Sequence, residues 1–170
     1  MKKTIAIFGS SRRNGNTGRL MDWIAGELNI EVIDLSVKNI SAYDYEHKNI
    51  DDDFLPLMDH VLQHDNIIFA SPVYWFAMSA QMKVFIDRMS DFLDVEDLKD
   101  QGRKLRGKVA YVVATSISER IDRSFIDSFT ETFDYLGLNY DGFIHADCQN
   151  GFDRDSYQAD VNSFTRRFSH

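Results

Sequence analysis

The sequence predicts a doubly wound α/β fold, with a five-stranded parallel sheet in the order 2-1-3-4-5 and helices on both faces. Two observations carry this expectation. Short apolar runs alternate with longer amphipathic stretches along the whole chain, which implies parallel strands joined by helical crossovers. The polar residues within those runs then sort them between the centre and the edges of a sheet.

The expected strands are Thr4 to Phe8, Ile30 to Leu35, Ile67 to Ala70, Val109 to Ala114 and Tyr140 to Ala146. Between and after them, apolar residues recur with the 3.6-residue period of a helix. Leu20, Ile24 and Leu28 mark the first helix, and Phe54, Met58, Val61 and Leu62 the second. Met82, Phe85, Ile86, Met89 and Leu93 mark the third, and Phe125, Phe129, Phe133 and Leu136 the fourth. Tyr157, Val161, Phe164 and Phe168 mark the fifth. Asp51 to Asp53 place negative charge at the start of the second helix, with Pro56 in its first turn, and Gly137 stops the fourth.

Central parallel strands are buried on both sides and should be nearly all apolar, as IAIF, IIFA and VAYVVA are. The second run carries Glu31 and Asp34, and the fifth carries Asp141 and His145, so these two belong at the edges. That places the chain in the order 2-1-3-4-5 rather than in the order beginning 3-2-1. Residues 1–170 are expected to form a single domain. Ser36 to Ile50, with Tyr43, Tyr45 and His47, reads as a lid or contact surface, or equally as a solvated loop with two packed tyrosines. Val95 to Lys108 reads as a charged, solvated excursion.

Composition narrows the function classes. With 19 basic against 27 acidic residues and a net charge of −8, a broad nucleic-acid or anionic-membrane surface is not expected. Cys148 is the only cysteine, which excludes an internal disulfide, a zinc ribbon and a four-cysteine iron–sulfur cluster. No run approaches a membrane span, and the short apolar run before Gly9 is no signal-peptide core. A cytoplasmic protein is expected.

The first strand leaves into GSSRRNGNT, Gly9 to Thr17, which is poor at packing and rich in donors. In the predicted sheet order this loop opens the first helix in the crevice where ligands bind, so backbone N–H groups and the helix dipole would face an anion. Ser10, Ser11 and Thr17 add hydroxyls, Asn14 and Asn16 amides, and Arg12 a charged fork; Arg13 and Arg19 add local positive charge. A nucleotide-triphosphate loop fails, because five residues separate Gly9 from Gly15 and Asn16 stands where lysine should be. A dinucleotide fingerprint and the acidic pair of a receiver domain are both missing, and no magnesium ligand is evident. A terminal monophosphate suits the loop, and the sheet order points to FMN. Taken alone, the loop reads equally as a tight turn at Gly9, a helix capped by Asn16 or Thr17, and solvated arginines.

Across the same crevice the third strand ends in SPVYWFAMSAQMKVFIDR, which begins at Ser71. Pro72 stiffens the turn, and Tyr74, Trp75 and Phe76 crowd three rings into it. Such a group lines a pocket, meets a partner or folds under a neighbour, and its place beside the first loop favours the pocket.

Together these two segments resemble the flavodoxin-like NAD(P)H-dependent FMN reductases and quinone reductases. LRGKVAYVVATS, Leu105 to Ser116, is similar to the family's fourth strand and third flavin loop, so the likeness spans essentially the whole chain. The resemblance implies an FMN-binding enzyme that takes hydride from NADH or NADPH and passes it in ping-pong fashion to a small acceptor such as a quinone or free flavin. It also implies a homodimer with the flavin near the subunit interface. By position, Ser10, Arg12, Asn14, Asn16 and Thr17 resemble the phosphate ligands. Pro72, Val73, Tyr74, Trp75 and Phe76 resemble the segment bordering the isoalloxazine ring, and Thr115 and Ser116 the start of the third loop.

The chain departs from its relatives in two places. Its third loop continues Ile117-Ser118-Glu119 where they are often glycine-rich, and Ser79 replaces a frequent proline, where it can cap the third helix. No protein acid or base is required, so no catalytic side chain is assigned. His145 reads as structural and Cys148 as an inert thiol, while Arg120 or Arg123 is placed to meet a 2′-phosphate or simply solvent. An electron carrier without NAD(P)H turnover and a flavin-binding regulatory module are the other classes that fit.

Overall fold

The computed structural model of the chain describes residues 2–168. Its five strands are β1 (Thr4–Phe8), β2 (Glu31–Asp34), β3 (Asn66–Pro72), β4 (Val109–Ser116) and β5 (Asn139–Asp147). All pair in parallel, in the order β2-β1-β3-β4-β5. The polar runs do lie at the edges. β3 is buried along its whole length, whereas β5 alternates between exposed and covered positions over its first half.

The helices are α1 (Asn16–Leu28), α2 (Phe54–Val61), α3 (Ala80–Asp87), α4 (Asp91–Asp94), α5 (Lys99–Arg103), α6 (Arg123–Leu136) and α7 (Gln158–Thr165). One face of the sheet is covered by α1 and α7 through Leu20, Ile24, Val161 and Phe164. The other is covered by α2, α3 and α6 through Met58, Phe85, Phe129 and Phe133. α6 stops where expected, at Gly137 with φ 77°, a left-handed conformation that glycine adopts without strain. α2 starts at Phe54, whose N–H donates to Asp52 Oδ1 at 2.9 Å.

Three expected segments differ in detail. The third helical stretch breaks after Asp87 into a 3₁₀ turn, Arg88–Ser90, before α4, and Leu93 faces outward. The fifth is α7 flanked by 3₁₀ turns at Asp155–Tyr157 and Arg166–Phe168. The 95–108 segment is largely exposed, as expected, but it is anchored at two points. It holds α5, buries Leu105, and presses Gly102 so close to Phe92 that an added Cβ would lie 2.5 Å from the Phe92 Cβ. The run of charges hid Leu105 and the close approach of Gly102 to Phe92.

The 36–50 connection is a strap latched onto a buried ion cluster. Arg88 is fully buried against the Phe54 ring, its guanidinium carbon 4.8 Å from the ring centre. Its Nε donates to Asp91 Oδ2 at 2.7 Å, and its Nη1 pairs with Asp52 and donates to the Ser41 carbonyl at 3.2 Å. His47 Nδ1 lies 3.0 Å from Asp91 Oδ1, and the Tyr43 hydroxyl donates to Asp94. Burial opposes ionisation of Asp52, but Arg88 and the Ser41 and Phe54 N–H groups outweigh it and hold the carboxyl below its usual range. Removing one partner from such a buried set costs about 3–5 kcal/mol, because the remaining charge is left unpaired. Tyr43 packs edge-on against Tyr45 at 5.0 Å, yet Tyr45 itself is largely exposed, so one of the two tyrosines is packed and not both.

Candidate functional site

The loops after β1, β3 and β4 meet at the carboxyl end of the sheet. Hydrogen bonds join them in pairs. The Gly9 N–H donates to the Ala70 carbonyl at 2.8 Å, and the Ser79 hydroxyl donates to the Gly9 carbonyl at 2.7 Å. Ser79 also caps α3 as expected, accepting the Met82 N–H at 3.1 Å. Thr17 and Thr115 share a buried hydroxyl contact of 2.6 Å, and the Val73 N–H donates to the Thr115 carbonyl at 2.9 Å. The first loop and the turn after β3 are therefore joined side by side through Ser79, Thr17 and Thr115.

The first loop is tight. A Cβ added to Gly9 would lie 2.9 Å from the Met82 Cβ, and one added to Gly18 would lie 1.7 Å from the Arg13 carbonyl oxygen. Ser10 and Thr17 are buried, while Arg12 and Asn14 are exposed and Asn16 is half-buried. Neither Asn16 nor Thr17 caps α1. The N-cap position is Gly15, with extended backbone and no side-chain hydrogen bond, and Thr17 turns inward to Thr115 instead. The first-turn N–H groups of α1 are thereby left for a ligand, with the positive end of the helix dipole behind them. Arg13 leaves the cradle: it pairs with Asp22 and lies 5.0 Å from the Phe8 ring centre.

The aromatic turn is a two-residue hairpin. Tyr74 and Ala77 exchange N–H···O=C bonds of 2.9 and 3.0 Å, and the residues between them, Trp75 and Phe76, have φ of 49° and 66°. Positive φ at both central positions is the requirement of a type I′ turn, which normally selects Asn-Gly. Two bulky rings in that conformation store strain, and the rings gain no burial in return, since Trp75 is 94% exposed. The Ser124 hydroxyl at the start of α6 donates to the Phe76 carbonyl at 3.2 Å and steadies the turn.

Between this hairpin and the loop after β4 lies a cleft of about 770 Å³, walled by Val73, Tyr74, Trp75 and Phe76 on one side and by Ser116, Ile117, Ser118 and Ile121 on the other. Its size is within the range of roughly 300–1,000 Å³ usual for small-molecule sites. Pro72 is buried behind the wall as the last residue of β3. The residues assigned from sequence thus fall into two adjoining groups: Ser10, Arg12, Asn14, Asn16 and Thr17 around the helix start, and Val73 to Phe76 with Ser116 around the cleft. Pro72 and Thr115 support from beneath. Ile121 carried no signal in the sequence, whereas Ile117 and Ser118 stood out only as replacements for glycine.

Behind the third loop, His145 Nε2 lies 2.8 Å from the Ser116 Oγ. Burial holds the imidazole below its ordinary pKa and so favours the neutral ring, against an opposing pull from Asp147. Cys148 is buried, and burial together with Asp147 pushes its thiol up to about 11, so it is a poor nucleophile.

Known proteins share this fold. The profile of the NADPH-dependent FMN reductase family matches residues 2–139. YwqN of Bacillus subtilis, named for an NAD(P)H-dependent, FMN-containing oxidoreductase, is 30% identical over 150 residues, covering 84% of this chain and 83% of that one. The Trp repressor binding protein of Bacillus subtilis superposes with a TM-score of 0.69 at 28% identity, covering 85% of this chain and 83% of the other. An FMN-dependent NADH-azoreductase from Bacillus anthracis, solved with FMN, shares the fold over all of both chains, with a TM-score of 0.73 at 14% identity.

Proposed function

Because this chain belongs to the NADPH-dependent FMN reductase family and is an NAD(P)H-dependent FMN oxidoreductase, we propose that its first loop and aromatic hairpin hold opposite ends of one FMN. Hydride from NADH or NADPH is passed on to a small acceptor such as a quinone or free flavin. The observation that carries this reading is the seam: a donor-rich helix start with no cap of its own, joined by Ser79 and Thr17 to an aromatic-walled cleft.

The residues present fit the cofactor. The uncapped N–H groups of α1, the Ser10 and Thr17 hydroxyls, the Asn14 and Asn16 amides and the Arg12 guanidinium suit a phosphate dianion. Gly9 and Gly18 let the loop pack directly against Met82 of α3 and the Arg13 carbonyl, which fixes its shape. Val73 to Phe76 suit the ring, with Thr115 and Ser116 at its polar edge. When bound, FMN supplies two-electron chemistry that the twenty amino acids lack. The protein's share is to bind, to orient and to keep water from one face of the ring. In this reading donor and acceptor take turns over one face of the ring, which is ping-pong behaviour. The single domain, residues 1–170, acts as a cytoplasmic homodimer in this reading, with a second copy covering the exposed Trp75 and Ile117. Among the described residues, no helix is long and apolar enough to cross a membrane.

The test is direct. Purified protein releases FMN rather than FAD, and NADH or NADPH is oxidised in the presence of a panel of quinones, azo dyes, nitroaromatics, ferric or chromate ions and free flavin. Parallel double-reciprocal lines support ping-pong turnover, and light scattering reports the dimer. A flavin-loaded protein with no pyridine-nucleotide oxidation against any acceptor refutes the hydride step.

A further inference from the structure

Next to the cleft lies a second groove, of about 540 Å³, along the free edge of β5. Arg120 and Ile121 line both, so the groove and the cleft adjoin at these two residues. The groove is built between the third loop and α7. Phe143 of the edge strand lies along it, 44% exposed. Asp160 and Ser163 border it from α7, and Glu119 from the third loop.

Charge distinguishes the two arginines. Arg167 is committed, donating to the Asp141 carbonyl at 2.7 Å with the Asp141 carboxylate 3.7 Å away. Arg120, at the junction of groove and cleft, forms no ion pair with any described residue, although Glu119 and Asp122 are its near neighbours in sequence. An arginine left without a partner at the mouth of an aromatic-floored groove is suited to a phosphate ester, through the charged two-pronged contact that guanidinium makes.

Resting on the hydride-donor reading above, we infer that this groove takes the adenosine diphosphate half of the dinucleotide. Arg120 meets the pyrophosphate, Phe143 stacks on the adenine, and the Asp160 carboxylate and Ser163 hydroxyl are the partners available to ribose. The chain has no glycine-rich dinucleotide fingerprint, so the cofactor's far end needs another platform, and an edge-strand aromatic beside a free arginine supplies one. A base on an aromatic face and a phosphate on an arginine are each strong enough to shift affinity by about tenfold.

Two measurements test this on FMN-loaded protein. In calorimetry, ADP-ribose, which lacks the nicotinamide, binds the wild-type protein, and Phe143→Ala or Arg120→Ala weakens that binding by about tenfold. In steady-state assays, Phe143→Ala raises KM for NADH and NADPH by a similar factor with kcat unchanged. It leaves KM for reduced nicotinamide mononucleotide, which has no adenosine, where it was. Absence of ADP-ribose binding overturns the assignment, as does an equal rise in KM for the mononucleotide, which would mark Phe143 as structural. Conversion of the protein to monomer by Phe143→Ala also overturns it, by making the groove a contact between copies. If the wild-type protein oxidises none of the three donors, the hydride reading fails, and the groove stands or falls on ADP-ribose binding alone.

Discussion

The first loop and the aromatic hairpin lie side by side, yet their backbones are fixed by opposite means. The first loop is held by closeness: Gly9 and Gly18 have no room for a Cβ, and Ser10 and Thr17 are buried with their hydroxyls among neighbours. The hairpin is held by a hydrogen-bonded frame that forces Trp75 and Phe76 into left-handed backbone while leaving their rings in solvent. One turn is shaped by what it packs against, and the other is strained for what it displays. Strain of that kind persists where the exposed groups are wanted for function.

The difference can be broken at either end. The largest effect is expected at Gly18→Ala, where the new methyl meets backbone rather than a flexible side chain. FMN should no longer copurify, and thermal stability should drop by an amount corresponding to about 1–3 kcal/mol. Gly26→Ala in the same helix has nothing within reach of its Cβ and is the control, expected to stabilise by about 0.5–1 kcal/mol. Equal behaviour of the two variants would remove tight packing as the loop's organising feature. Arg12→Ala comes next: it leaves the fold intact and weakens FMN binding by about 1.5–3 kcal/mol in a fluorescence titration. Unchanged affinity would place Arg12 outside the phosphate site.

At the hairpin the sign reverses. Trp75→Gly removes an exposed ring and a left-handed L-residue together, so the apoprotein should gain about 1–2 kcal/mol in denaturant unfolding while its FMN binding weakens. A loss of stability would mean that the indole, not the hydrogen-bonded frame, shapes the turn.

The smallest expected effect is a pH dependence behind the third loop. The folded state holds the His145 pKa below its ordinary 6.5, so the unfolded chain binds the proton more readily. Its contribution to stability is therefore complete above that value and declines as pH falls through it towards the lowered folded value. Unfolding measured at about pH 7.5 and about pH 5.5 should show a steeper loss for the wild-type protein than for His145→Gln. Identical slopes would mean that the buried imidazole is not linked to folding.

The sheet order was readable because edge strands announce themselves through polar residues, and Glu31, Asp34 and Asp141 did so. The first loop and the aromatic turn were readable because hydroxyls, amides and clustered rings have few uses at strand ends. Their connection was not. Nothing in the spacing of Thr17 and Thr115, 98 residues apart, foretells a shared hydrogen bond. Gly15 as an uncapped helix start was hidden for a related reason, since Asn16 and Thr17 are good capping residues and only the tertiary pull of Thr115 turns Thr17 inward. Arg88 was the deepest omission. It ends an apolar helix, where a charge usually marks the solvent side, and only the three-dimensional meeting of Asp52, Asp91 and Ser41 shows why it is buried.

Whether two neighbouring turns grip a single FMN is decided by a crystal structure of the flavin-loaded protein. Phosphate oxygens should lie within hydrogen-bonding distance of the first N–H groups of α1, and the ring between Tyr74–Phe76 and Ser116. A flavin whose phosphate lies away from Ser10 to Thr17, or whose ring lies outside the cleft, would contradict it.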